Sequence, residues 1–193
     1  MITTTYSNSK SSSYTKCTVY IAMCVALLSV SSNILIPLPF NPVPINLASM
    51  TVLLIGCLLG PVLGSICIIV YIFMGMVGIP VYSGMGAGLG HLMGPTGGFL
   101  FGYIPAAFIS GWTNYLKFDQ NKTKSTTVAI LLLSNILATC ILYTVGALFF
   151  MKVTNTSLST SISTTVIPFI LGDSIKIILA SILVIRLKKL RVF

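Results

Sequence analysis

Two ionisable side chains stand three residues apart inside an otherwise uncharged run: Asp173 and Lys176, in Gly172-Asp173-Ser174-Ile175-Lys176. At that spacing both project from one face of a helix. Asp173 is one of only two acids in the 193 residues and the only one in an apolar stretch. A charge in hydrocarbon costs at least about 2.5 kcal/mol even on lenient insertion scales, so such residues usually face a cavity or a partner. Two readings stand. Either the pair neutralises itself and tolerates its position, or it serves a small ligand that offers both N–H donors and an anionic carboxylate. In the second reading Asp173 takes the donors, while Lys176 meets the carboxylate or holds Asp173 ionised. Alternatively the two only orient each other, and uncharged loop groups bind the ligand. Counted from the outer end of the run 165–187, Asp173 lies roughly 12 Å deep at about 1.5 Å per residue. Pro168 can begin or kink the helix just above it.

Other candidate chemistry is sparse. The stretch Gly84-Met85-Gly86-Ala87-Gly88-Leu89-Gly90 contains no GxGxxG register, and no GxxxxGK[ST] occurs anywhere, so nucleotide binding has no motif. Close backbone approach to a ligand, or close loop packing, accounts better for these glycines. His91 reads as a hydrogen-bonded loop residue or a ligand contact. Tyr82 reads as a stacking surface for a flat ring or as a membrane-interface tyrosine. Cys17, Cys24, Cys57, Cys67 and Cys140 lie in or beside apolar runs with no CxxC pair, so neither a zinc site nor a disulfide framework has its ligands. With one His, two Asp and no Glu, an enzyme lacks acid-base pairs and metal ligands. Ala22 and Ala26, four apart on one face, allow another helix to approach closely. Asp119 reads as solvated.

The elements that must position these residues are membrane helices. Hydrophobic residues make up 55% of the chain and charged ones 7%, and the mean hydropathy is +1.02. A soluble domain needs more surface charge than that. The expected fold is all-α, a single polytopic membrane domain over 1–193 with a polar tail at 1–16. Six spans are expected, at about 17–36, 46–59, 62–79, 96–116, 127–151 and 165–187. The second is short enough to be re-entrant instead. A cleaved leader is rejected because the first run is too long and lacks a small-x-small site. Six spans with both termini cytoplasmic put Lys10, Lys16, Lys117, Lys122, Lys124, Arg186, Lys188, Lys189 and Arg191 inside, leaving Lys152 outside. That placement explains the net charge of +9 without nucleic acid. Gly60-Pro61 makes a tight internal turn. The proline-rich stretch 37–44 and the glycine-rich stretch 78–98 carry no Lys, Arg, Asp or Glu. Uncharged external loops of this kind fold back over the bundle and cap a substrate pocket.

Ile36-Pro37-Leu38-Pro39, Asn41-Pro42-Val43-Pro44-Ile45, Gly78-Ile79-Pro80-Val81-Tyr82, Gly94-Pro95-Thr96-Gly97-Gly98 and Gly172-Asp173-Ser174-Ile175-Lys176 resemble the motifs of the BioY family in order and spacing, over about residues 22–187. The resemblance implies a six-helix S component of an energy-coupling factor (ECF) importer in the bacterial plasma membrane. It implies capture of biotin from outside, and partnership with the transmembrane coupling subunit EcfT and two ABC-type ATPases. No cofactor or metal is implied. The family's GD-x-x-K motif places Asp173 and Lys176 in the biotin pocket, and Tyr82, Gly84 and Thr96 join them as expected site residues. The family's small residues on the first helix, which contact the coupling subunit, fall on Ala22 and Ala26. Two departures stand out: Ile45-Asn46-Leu47-Ala48 where many relatives look like PIT-L-Q, and Phe99 in place of a tyrosine. Stretch 78–98 also supplies no cation for a carboxylate. The rival function is a stand-alone proton- or cation-coupled carrier in which Asp173 titrates.

Overall fold

The computed structural model describes residues 3–36, 45–115 and 124–189. The proline-rich stretch 37–44 and the loop that carries Lys117, Asp119 and Lys122 lie outside them, as does Arg191. Among the described residues the chain is helical apart from one two-residue strand pair. In order come α1 (Thr3–Asn33), β1 (Leu35–Ile36), β2 (Ile45–Asn46), α2 (Ala48–Leu59), α3 (Pro61–Met76), α4 (Gly88–Leu92), α5 (Gly97–Gly111), α6 (Lys124–Thr154), α7 (Leu158–Thr165) and α8 (Ile167–Lys189). Stretches 15–33 of α1 and 125–154 of α6, with the whole of α8, are long and apolar enough to cross a membrane.

Helices α1, α2, α3, α5, α6 and α8 overlap the apolar runs, with ends that local chemistry adjusts. α1 begins inside the polar tail, at Thr3. α3 stops at Met76, short of the expected Ile79, because Gly78 turns the chain at φ +107°. α5 stops at Gly111 and tightens into a 3₁₀ turn over Trp112–Asn114. The Gly60-Pro61 turn is present: Gly60 takes φ +85° and Pro61 opens α3.

α5 packs against α2, α3 and α6, and α8 lies against α2 and α6. Small residues set how close these helices come. The Cα of Gly56 faces the Ala107 carbonyl and the Ser110 side chain of α5, where a Cβ has no room. Such contacts replace hydrophobic attraction, which lipid does not supply between helices. α2 is buried from Thr51 through Cys57, so it is an interior helix. Outer faces are apolar instead: Leu171 is 81% exposed and Val30 64% exposed. A molecule with apolar groups both inside and outside needs lipid around it.

Two local devices bring the site together. The antiparallel pairing of Leu35 with Asn46, and the Leu47 N–H bond to the Ile34 carbonyl, return the chain beside the end of α1. That fixes where α2 starts, and with it Ser49. After α3 a bridge between Tyr82 and Gly86 closes a turn over Ser83–Met85, and α4 follows before α5.

Candidate substrate-binding site

Asp173 and Lys176 share the inner face of α8, 6% and 7% exposed. The Lys176 ammonium donates to Asp173 Oδ1 at 2.6 Å and to Ser49 Oγ of α2 at 3.2 Å. Ser49 in turn lies 3.4 Å from Asp173 Oδ1. On the other side Tyr143 of α6 donates its hydroxyl to Asp173 Oδ2 at 2.7 Å. Three helices therefore converge on one carboxylate. Lys176 and two hydroxyls surround the carboxylate, whose oxygens keep acceptor capacity for further N–H donors.

The pair lines a cavity that Ser83, His91 and Thr96 of the 78–98 segment also line. Aromatic and aliphatic groups, among them Tyr71, Phe99, Leu100, Tyr103 and Phe169, line the same space. A largely apolar chamber with a few converging polar groups is the usual form of a small-molecule site. Among the described residues no group of three or more His, Cys, Asp or Glu could hold a metal.

The residues expected from sequence divide. Asp173, Lys176 and Thr96 line the cavity together, with Thr96 Oγ1 3.5 Å from His91 Nε2. Tyr82 and Gly84 do not reach its wall. Tyr82 is fully buried, its hydroxyl donating to the Ile72 carbonyl and its ring stacked on His91 at 5.3 Å. It is thus neither an open stacking face nor an interface tyrosine; it braces the imidazole that does line the cavity. Burial holds His91 below its ordinary pKa, in the neutral form. Gly84 sits exposed at φ +69° with nothing close to its Cβ direction, so its glycine serves backbone conformation. Ser49, Ser83 and Tyr143 were not singled out by sequence. Neutral hydroxyls inside apolar runs bond to their own helix as readily as to a site. Ala22 and Ala26 are exposed and line a groove between α1 and α3, with Val25, Val70 and Met74 beside them.

A model of the BioY family matches residues 4–192. The chain belongs to the BioY family. Among curated relatives, the biotin transporter BioY of Thermotoga maritima is 34% identical over 157 residues, covering 81% of this chain and 88% of its own. A biotin transporter BioY of Lactococcus lactis is 32% identical over 154 residues, covering 80% of each. The crystal structure of an S component for biotin from an ECF-type ABC transporter superposes with a TM-score of 0.80 at 30% identity, covering 92% of this chain and 93% of the other. As a BioY member the chain is a membrane transport protein and not an enzyme, and its relatives indicate no cofactor. They do not favour the stand-alone carrier reading of Asp173.

Proposed function

We propose that this chain is the high-affinity biotin-binding S component of an ECF importer in the cell membrane. It takes biotin from outside, and EcfT with two ABC-type ATPases supplies the energy for delivery. The observation that carries the reading is the buried Asp173–Lys176 pair in the wall of a mainly apolar chamber in a BioY chain. Biotin's ureido group offers two N–H donors and one carbonyl acceptor on a compact bicycle. Asp173 meets the donors, and the ammonium protons left on Lys176 meet the carbonyl. The two charges cancel, so this part of the wall favours a neutral polar head over a second anion. The thiophane ring and the pentanoate chain occupy the apolar middle, where area burial supplies most of the affinity.

Six membrane crossings with cytoplasmic termini follow from the charge placement, and put the 78–98 segment and the cavity at the external side. The α1–α3 groove, with Ala22 and Ala26 flush at its surface, is the docking face for EcfT. Calorimetric titration of detergent-solubilised protein with biotin, with thiamine and riboflavin as controls, tests the reading. One biotin per chain and no heat from the controls is expected. Equal response to all three, or none to biotin, would overturn it.

A further inference from the structure

Among the described residues one buried side-chain polar atom has no hydrogen-bond partner: Ser83 Oγ, in the wall of the cavity. Buried hydroxyls are nearly always paired, because leaving one unpaired forfeits its bonds to water. The turn that carries Ser83 holds it there. Its ends are closed by the Tyr82 N–H bond to the Gly86 carbonyl. Two side chains at the end of α1 clamp it on either side: Ser32 donates to the Val81 carbonyl at 2.6 Å, and Asn33 Oδ1 accepts from the Met85 N–H at 2.7 Å. Ser32 also lines the cavity, but its hydroxyl is taken up by the Val81 and Ser29 carbonyls. Ser83 is the hydroxyl left to donate inward.

We propose that the Ser83 hydroxyl donates a hydrogen bond to the carboxylate of the bound ligand, making Ser83 an affinity-setting residue of this chain. The inference rests on the biotin reading above. Two sets stand out among the polar groups that line the cavity. Asp173, Lys176, Tyr143 and Ser49 bond among themselves with cancelling charge, which suits a neutral head. Ser83, His91 and Thr96, all on the 78–98 segment, are less deeply buried than the charged pair. An anion is least costly to bind where hydration is best retained. With no Lys or Arg in that segment, the anion must be met by neutral donors, and a hydroxyl donating to a carboxylate makes a bond about twice as strong as one to a neutral acceptor.

The test is calorimetry on the full chain, comparing wild type with Ser83→Ala and Ser83→Thr. Two ligands are used, biotin and an analogue whose carboxyl is replaced by methyl. Ser83→Ala is expected to bind biotin about tenfold more weakly, to bind the methyl analogue as wild type does, and to keep the ligand-free melting temperature, since no existing bond is lost. Ser83→Thr, which keeps a hydroxyl, recovers at least part of the affinity. An equal penalty with both ligands, no penalty with either, or a lowered ligand-free melting temperature in Ser83→Ala would overturn the assignment. If wild type binds no biotin at all, the biotin reading itself fails and this inference falls with it; a wild type that binds normally isolates the fate of Ser83.

Discussion

Three neighbours share the cost of burying Asp173 in the bundle. Lys176 cancels the charge, and Tyr143 and Ser49 satisfy oxygens that water would otherwise solvate. Removing one partner of a buried pair exposes that cost, typically about 3–5 kcal/mol. Lys176→Ala or Asp173→Asn should therefore lower thermal stability and weaken biotin binding at least about tenfold, or about 1.4 kcal/mol. Unchanged affinity in both variants, read by calorimetry, would take the pair out of the pocket. Tyr143→Phe deletes one donor and should cost about 1–2 kcal/mol of unfolding free energy in a denaturation series. His91 titrates in the opposite sense to an ion-paired histidine. Its folded pKa lies below the ordinary 6.5 through burial, so below that pH the unfolded chain binds the proton more readily and stability declines as pH falls. His91→Gln should flatten the decline in melting temperature on acidification; an unchanged profile would place the titrating group elsewhere. At this scale Asp173 and Lys176 were legible, since a charge in an apolar run always calls for an explanation. Ser49, Ser83 and Tyr143 were not, because a hydroxyl in such a run raises no such question until its neighbours are known.

Helices carry their own information unevenly. The ends of α2 and α3 were legible in Gly60-Pro61, where a positive φ and a proline at the first helical position do separate jobs. The burial of α2 was not. A run such as Thr51–Cys57 has no polar face to mark its outside, so only the packing of α1, α3, α5 and α8 around it decides that it is interior. The short helix α4 was likewise read only as part of a glycine-rich loop, since its five residues include Gly88 and Gly90. On α1 the exposed alanines leave a groove that a bulky side chain would fill. Ala22→Trp or Ala26→Trp should leave biotin affinity intact and abolish ATP-driven uptake when EcfT and the ATPases are co-expressed. Uptake that survives both changes would move the docking face off α1.

For the whole molecule, the charge of each connection predicts which side of the membrane it occupies. Lys152, at the end of α6, and Lys189, at the end of α8, are both exposed and are expected on opposite sides of the membrane. In a background without native cysteines, a membrane-impermeant thiol reagent added to intact cells should modify Lys152→Cys and spare Lys189→Cys; labelling of both would break the six-span topology. The all-helical class was legible from hydropathy alone, because lipid forces backbone groups to pair within each segment. The position of the cavity was not, since it depends on a strand pair of two residues and on side-chain clamps between α1 and the 78–98 segment.

The most direct measurement is equilibrium dialysis of radiolabelled biotin against the purified chain and its Asp173→Asn variant. Near-stoichiometric retention by the wild type with sharply reduced retention by the variant is the predicted result. Equal retention by both would contradict the assignment of the α8 carboxylate to the vitamin site.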